Sequence, residues 1–203
     1  GELLPIRFRP LGPTTIRYRP DNSRVLPTEI GGAPMIRRSV EAVLAYHDAQ
    51  MDYAEVDRDG DGVLEYAQQF MSSDGQYDGL YWPEQPGIEE SPLGPLFGDE
   101  LPDGEWQGYH YRILTAQGAS APGGAYDYRL GDNMTRGFAL IAWPAEYADS
   151  GVMSFMISHE GQVFEKDLGP DGAKLATSMG RFDPDSSWSE VAAEAEVEAL
   201  ATP

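Results

Sequence analysis

Acidic residues alternate with other residues in one short segment, and their spacing is that of a calcium-binding loop. Asp57, Asp59 and Asp61 stand at positions 1, 3 and 5 of this loop, and Gly62 follows at position 6. Calcium takes six to eight oxygen ligands, and alternating carboxylates converge on one ion only where the backbone turns sharply, as Gly62 allows. The segment therefore predicts a Ca²⁺ site of EF-hand type.

The other ligands of the predicted site are less regular. Val63 offers its backbone carbonyl, Leu64 is expected to face the core, and Glu65 at position 9 coordinates directly or through water. Position 12 usually holds a bidentate Glu but is Gln68 here, so we expect weak binding, with a dissociation constant of about 10⁻⁴ to 10⁻³ M. The alternative is a polar turn built by Asp and Gly without a metal. The predicted ligands are Asp57, Asp59, Asp61, Val63, Glu65 and Gln68.

Aromatic residues after the loop support a second hypothesis. Residues 74–104 hold six Gly and five Pro, which predicts a long irregular excursion, and excursions of this length often carry function. The candidate ligand surface comprises Tyr81, Trp82, Trp106 and His110. The alternative is that the aromatic residues pin the excursion to the core.

Motifs of catalysis and of cofactor binding are not found in the sequence. There is no Gly-x-Ser-x-Gly elbow, no His-Glu-x-x-His pair, no phosphate-binding Gly-x-x-x-x-Gly-Lys and no dinucleotide fingerprint. His159, with Ser154 and Ser158 on the preceding segment, lacks an oxyanion signature. The chain has no Cys, which excludes disulfides, thiolate metal sites and cysteine nucleophiles.

A helical pattern precedes the predicted calcium loop. Between residues 36 and 56, apolar or semi-apolar residues recur every three to four positions, which predicts a long amphipathic helix. The stripe consists of Ile36, Val40, Val43, Leu44, His47, Met51 and Ala54.

Beyond Gly104 the pattern becomes typical of strands. Strands are predicted over 106–115, 125–130, 137–143, 152–158 and 162–168, and an antiparallel meander of about four to five strands fits their order. Both faces of 138–143 are apolar, which predicts a central strand, while 159–161 predicts a hairpin turn and 171–179 a short helix. The predicted fold class is α+β, with the long N-terminal amphipathic helix and its Asp/Gly loop packed on the sheet.

Composition divides the chain into three parts. Residues 1–35 form a basic extended arm that repeats Ile-Arg-(Phe/Tyr)-Arg-Pro, and we expect it to pack on the acidic body or, alternatively, to bind an anionic partner. Residues 36–188 form a single α+β domain that contains the excursion 74–104. Residues 189–203 form an Ala/Glu-rich tail, which is either a marginal helix or disordered.

Charge and hydropathy exclude several classes of partner. The net charge is −20, from 34 Asp+Glu against 14 Lys+Arg, which opposes binding to nucleic acids and to anionic lipid. The longest apolar runs, 138–143 and 152–157, fall well short of the ~20 residues of a transmembrane helix. No direct membrane span is expected.

Several blocks of the sequence together resemble a known bacterial family. They lie at 43–50, 57–68, 78–83, 91–96, 111–118, 123–128, 137–147 and 166–170. Over about residues 37–188 the chain is similar to the bacterial domain-of-unknown-function family 2950. The resemblance implies an exported protein of the periplasm or cell envelope of a Gram-negative bacterium, and it implies no established activity.

A more distant similarity concerns the order of the elements. A long helix, an Asp/Gly loop, an irregular segment and an antiparallel meander follow one another as in the heads of type IV pilins and type II secretion pseudopilins, an analogy of fold. The leading hypothesis is a non-enzymatic structural or protein-interaction module of the envelope, stabilised by Ca²⁺ and binding an envelope protein. The alternative is an envelope glycan binder or hydrolase that uses an aromatic-lined cleft under loop 74–104. A calcium sensor, with Met51 and Met71 beside the loop, is the third hypothesis.

Overall fold

The fold is described for residues 33–94 and 105–191, in a computed structural model of the chain. Helix α1 spans Ala33–Tyr53 and helix α2 spans Gly172–Ser178. Residues 1–32 of the predicted arm, residues 95–104 of the predicted excursion and residues 192–203 of the predicted tail lie outside the described residues.

Short antiparallel strands make up most of the regular structure after Gly104. Within the described residues they are, in chain order, β1 (Glu105–Trp106), β2 (Tyr109–Leu114), β3 (Ala116–Gln117), β4 (Tyr126–Asp127), β5 (Arg129–Leu130), β6 (Asn133–Met134), β7 (Ala139–Pro144), β8 (Met153–Ser158), β9 (Val163–Asp167) and β10 (Ser189–Glu190). The main sheet has six strands in the order β1-β2-β7-β8-β9-β10, while β3-β4 and β5-β6 form separate two-stranded sheets. The α+β class is confirmed. The main sheet is larger than the predicted four to five strands because the two-residue strands β1 and β10 extend its edges.

The segment 125–130 departs from the prediction of one strand in the meander. It is divided into β4 and β5, neither of which joins the main sheet. The Asp127 carboxylate accepts the backbone N–H of Arg129 at 2.9 Å, a local bond that bends the chain. Between the two strands the fully buried Tyr128 donates its hydroxyl to Gln117 Oε1. The local turn and the inward tyrosine together prevent a continuous strand.

Strand β7 lies in the interior of the sheet, as its two apolar faces predict. All six of its residues are buried, and β2 and β8 flank it. The predicted turn at 159–161 joins β8 to β9, with Gly161 N–H donating to the Ser158 carbonyl at 2.9 Å. A sheet covered on both faces accounts for this burial pattern.

The two helices cover opposite faces of the sheet. On β2, the Tyr109 hydroxyl is hydrogen-bonded to Ser39 of α1, whereas the Arg112 guanidinium donates to the Thr177 carbonyl of α2. Because residues three apart in a strand point to opposite faces, α1 and α2 lie on different sides. The described part of the chain is thus a three-layer arrangement with the sheet in the middle.

The core-facing side of α1 differs from the predicted stripe. Leu44 and Met51, which the pattern assigned to the stripe, are 39 % and 46 % exposed, whereas Tyr46 and Gln50 are almost fully buried. The polar atoms of these two residues have partners inside, since Tyr46 donates to the Ala139 carbonyl at 3.2 Å and Gln50 Nε2 donates to the Tyr46 hydroxyl at 3.0 Å. Paired polar groups can therefore replace apolar ones on this face.

Residues 74–94 follow α1 and the loop as an irregular segment on the core. This part of the predicted excursion contains neither an α-helix nor a ladder longer than the single bridge between Met71 and Tyr81. Leu80, Trp82 and Leu93 are each buried to 3 % exposure or less. The segment is held by apolar burial, as the pinning interpretation of its aromatic residues expects.

The end of the sheet also includes residues that composition assigned to the tail. Ser189 pairs with Glu165 and Glu190 with Phe164, both on β9, and Val191 N–H donates to the Val163 carbonyl at 2.9 Å. Residues 189–191 therefore belong to the sheet, because backbone pairing holds them there although their side chains are mostly exposed.

Candidate functional site

Three aspartates gather in the loop that follows α1. One ligand oxygen from each of Asp57, Asp59 and Asp61 lies within 4.8 Å of the others. Carboxylates this close repel one another unless a cation lies between them. Oxygen donors of this kind fit a hard divalent cation such as Ca²⁺.

Hydrogen bonds between side chains and backbone amides shape this loop. Asp57 accepts from the N–H of Gly60 at 2.8 Å and from that of Gly62 at 3.0 Å, through its two carboxylate oxygens. Asp61 Oδ1 accepts from Val63 N–H at 2.7 Å. Gly60 and Gly62 have φ values of 76° and 86°, a conformation that residues with a Cβ rarely adopt. These bonds curl the backbone of the loop around its own carboxylates.

Glu65 brings a fourth carboxylate near enough to these three to feel their charges. Burial raises the pKa of its carboxyl above the usual value, and the negative charges of Asp59, Asp61 and Asp57 raise it further. One oxygen of Glu65 accepts the Met134 N–H at 3.2 Å. A partly buried carboxylate facing three others is the electrostatic setting that a bound cation would relieve.

The segment after the loop is extended, and this sets the positions of Leu64 and Gln68. Leu64 is 56 % exposed, so the prediction that it faces the core is wrong. Gln68 Nε2 donates to the Asp132 carbonyl at 2.6 Å. In an EF-hand, the helix that follows the loop carries the residue at position 12 back towards the ion. Within the described residues no helix follows the loop directly. The N–H of Val63 donates to Asp61, and its carbonyl stays the predicted metal ligand.

A pair of contacts prevents that second helix and closes the base of the loop. The buried amide of Gln50 on α1 bonds both backbone groups of Ala67, accepting its N–H and donating to its carbonyl, each at 2.8 Å. The neighbouring Tyr66 N–H donates to the Met134 carbonyl of β6 at 2.8 Å. These backbone groups are then unavailable for helical bonds. These contacts fix the distance between the start and the end of the loop.

The hairpin β5–β6 contacts the loop from the other side. Asn133 Nδ2 donates to Asp61 Oδ2 at 2.7 Å, next to the bond that Met134 N–H makes to Glu65. The loop thus connects the end of α1 to a hairpin more than sixty residues away in sequence.

Arg58, at the second position of the loop, connects it to the irregular segment. Its guanidinium lies 5.0 Å from the ring centroids of both Tyr53 and Trp82. Its Nη1 is 3.8 Å from Glu89 Oε2. The side chain is only 10 % exposed, so these contacts occur largely out of water, where cation–π attraction is strongest.

The four residues of the predicted ligand surface occupy separate places. Trp82 is buried, packs at 5.1 Å on Tyr77 and donates its indole N–H to the Glu89 carbonyl. Trp106 pairs with Tyr109 across the β1–β2 ladder, so it shares a sheet face with Tyr109, while the adjacent His110 points to the other face. The backbone of Tyr81 forms an isolated parallel β-bridge with Met71. The structure does not bring these four side chains into one surface.

A cleft of about 600 Å³ lies next to the acidic loop 57–65. Its walls come from the end of α1, the loop, the extended segment after it and residues 75–78. The lining residues include Tyr53, Arg58, Asp59, Glu65, Tyr66, Gln68, Gln69, Gln76, Tyr77 and Asp78. Tyr53 and Tyr66 were not among the predicted site residues, because the sequence does not show that both ends of the loop meet residues 75–78. The repeated appearance of Tyr around the acidic motif was the only local sign.

Comparisons with known proteins place the chain in one family. No curated protein and no solved structure matches it significantly. Among the described residues no helix combines the length and hydropathy needed to cross a bilayer. The model of a protein family described as a protein of unknown function, DUF2950, matches residues 30–191. Because that match covers most of the sequence, the chain belongs to the DUF2950 family.

Proposed function

We propose that this chain is a non-enzymatic structural or protein-interaction module of the bacterial envelope, and that Ca²⁺ bound by the loop 57–65 stabilises it. The observation that carries the proposal is the convergence of Asp57, Asp59 and Asp61 to within 4.8 Å, with Glu65 electrostatically coupled to all three. The ligands of the ion are these four carboxylates and the carbonyl of Val63. Gln68 is the remaining predicted ligand, through its amide oxygen, which the Nε2 bond to the Asp132 carbonyl does not use.

The ion has a mechanical role in this proposal. The loop holds Arg58 between Tyr53 and Trp82 and receives Asn133 from β6, so an ion that fixes the loop also fixes the irregular segment and the hairpin relative to α1. Binding energy becomes folding energy when the site exists only in the folded chain.

Export and a pilin-like head complete the proposal. The order of α1, loop, irregular segment and antiparallel sheet agrees with the order in pilin and pseudopilin heads, and this order supports the analogy of fold. A periplasmic or cell-envelope location in a Gram-negative bacterium follows from what the family resemblance implies. An envelope protein is the proposed partner.

A non-enzymatic role is supported by the environment of the serines near His159. The Ser154 hydroxyl has no hydrogen-bond partner among the described residues, and Ser158 Oγ accepts the Glu160 N–H at 3.3 Å. Neither serine is joined to the imidazole, as a nucleophile and its base would be. The sensor hypothesis has less support, because it rests on a single loop whose position 12 is Gln68 in place of the usual Glu.

Thermal unfolding with calcium and with chelator tests the proposal. At about 10 mM Ca²⁺ and a dissociation constant of about 10⁻⁴ to 10⁻³ M, binding adds roughly 1.5 to 3 kcal/mol to the free energy of unfolding. The melting temperature should rise by several degrees over that measured in EGTA. Asp59→Ala should abolish the difference, whereas Asp149→Ala, an exposed acid far from the loop in sequence, should leave it intact. Equal melting temperatures in calcium and EGTA would contradict the proposal.

A further inference from the structure

The cleft beside the calcium loop has the size and composition of a small-ligand site. Its volume of about 600 Å³ lies within the usual range of ligand pockets, which is about 300 to 1,000 Å³. We infer that this cleft binds a neutral oligosaccharide, and that Ca²⁺ in the loop strengthens the binding. The calcium part of this inference rests on the proposed function, whereas the saccharide part rests on the walls of the cleft.

Aromatic rings in fixed orientations form the apolar part of the walls. Tyr66 and Tyr77 are half-buried and line the cleft. Each has one edge-to-face contact behind it, Tyr66 with Phe138 at 4.8 Å and Tyr77 with Trp82 at 5.1 Å. A pyranose presents a face of C–H groups that packs on such rings, and rings already held in place lose little entropy on binding.

The polar part of the walls offers both donors and acceptors. Asp59, Glu65 and Asp78 supply carboxylate oxygens, and the exposed side chain of Gln76 supplies an amide that has no hydrogen bond within the described residues. Ser73 already holds Asp78 in position through its N–H at 2.7 Å and its hydroxyl at 2.8 Å. Sugar hydroxyls both donate and accept, so they can use acids and amides together.

Arg58 decides between a neutral and a cationic ligand. Its side chain is nine-tenths buried and lines the cleft, and its Nε–H is buried without an acceptor in the described structure. An ammonium or guanidinium ligand would be repelled by the fixed positive charge of Arg58 in the wall of the cleft. A neutral ligand avoids this repulsion and can still use the carboxylates and the amide as hydrogen-bond partners.

The cleft and the calcium loop share two carboxylates. Asp59 belongs to the acidic cluster, Glu65 feels the charges of that cluster, and both line the cleft. An ion at the cluster would fix both side chains and would neutralise part of the charge that favours cationic ligands. Position 12 is Gln68, which offers one amide oxygen in place of a bidentate carboxylate, so a position stays open for an oxygen of water or of the ligand.

Calorimetric titration of the full chain with defined oligosaccharides tests this inference. The probes are N-acetylchitotetraose, maltotetraose and cellotetraose, with trilysine as the cationic comparison, in about 10 mM CaCl₂ or in EGTA. We expect at least one tetrasaccharide to bind in calcium, with about tenfold weaker binding in EGTA. Gln76→Ala and Tyr77→Ala should each weaken binding about tenfold or more, a loss of roughly 1.4 kcal/mol. Tyr147→Ala, a tyrosine that does not line this cleft, should not.

The outcomes separate the two proposals. Binding of no tetrasaccharide, or of trilysine alone, overturns the cleft assignment, and a retained heat of CaCl₂ binding would show that the calcium proposal survives it. Saccharide binding that is unchanged in EGTA overturns the link to calcium and supports the cleft itself. Gln76 is exposed, so an unaffected Gln76→Ala variant would count against the site even if Tyr77→Ala failed to fold.

Discussion

Glu65 is the residue at which folding and the proposed metal binding would oppose each other. Burial, followed by the charges of Asp59, Asp61 and Asp57, raises the pKa of its carboxyl from 4.5. The folded chain therefore takes up a proton at Glu65 more readily than the unfolded chain does. The stabilisation from the protonated form is fully present below pH 4.5 and is lost as the pH rises through the higher pKa of the folded state. At neutral pH and without metal, ionised Glu65 destabilises the fold.

Replacing Glu65 with glutamine should stabilise the metal-free fold and weaken calcium binding. Glu65→Gln keeps an acceptor for the Met134 N–H and removes the charge, so in EGTA at pH 7 its melting temperature should exceed that of the wild type. The gap should close as the pH falls below about 4.5. Calcium binding should weaken about tenfold or more, because a charged ligand is lost. Melting curves across pH and calcium titrations measure both effects.

A matched control is available on the sheet. Burial also raises the pKa of Glu165, without the acidic cluster as a cause. Glu165→Gln should therefore reproduce the pH effect and leave calcium affinity unchanged. Equal loss of calcium binding in both variants would show that the acidic loop is not the metal site.

At the level of elements, Arg58 connects α1 to the irregular segment. It lies 5.0 Å from the rings of Tyr53 on α1 and of Trp82 in that segment. Desolvated cation–π contacts contribute up to about 2 kcal/mol each. Arg58→Ala should therefore lower the free energy of unfolding by about 1 to 3 kcal/mol and loosen residues 74–94.

Hydrogen exchange measures where that loosening occurs. The backbone N–H groups of Leu80 and Tyr81 donate to the carbonyls of Gln69 and Phe70 at 3.2 and 2.8 Å, and their protection should fall in Arg58→Ala. Arg129→Ala is the control, since this arginine is 47 % exposed and its ion pair with Asp127 contributes little. Equal protection of Leu80 in both variants would contradict the role given to Arg58.

Patterns set by local burial could be predicted from the sequence. The interior strand, predicted over 137–143 and found at Ala139–Pro144, follows from a run that is apolar on both faces. The turn at 159–161 follows from Gly161, and the short helix near 171–179 from a brief helical pattern. The segment 125–130 could not be predicted, because the hydroxyl of Tyr128 is directed inward by Gln117, which lies elsewhere in sequence.

In the candidate site, too, local features could be predicted and features that depend on distant contacts could not. The spacing of the aspartates in 57–61 fixed the acidic cluster, since a short loop determines its own geometry. The position of Gln68 depends on the contact between Gln50 and Ala67 that excludes a second helix, and no local pattern shows that contact. The cleft depends on Tyr53 meeting residues 75–78, where its hydroxyl donates to the carbonyl of Tyr77, 24 positions away in sequence.

At the level of the whole molecule, net charge and a specific ion act on stability in different ways. The net charge of −20 produces repulsion throughout the fold, and any added salt screens it. Calcium at the loop would relieve repulsion among four carboxylates and also coordinate their oxygens. A rise in melting temperature with calcium therefore has two possible causes, which salt separates.

We expect the calcium effect to persist when the charge is screened. NaCl should raise the melting temperature in EGTA, and the effect should level off towards about 1 M, where the Debye length falls to about 3 Å. If Ca²⁺ acts only by screening, its increment vanishes at that salt concentration. A coordinated ion still adds stability there, because inner-sphere oxygens within 4.8 Å of one another remain bound to it. Mg²⁺ carries the same charge but requires tight octahedral geometry, so it should reproduce the salt effect and not the calcium increment. Loss of both increments at about 1 M NaCl would reduce the loop to a polar turn.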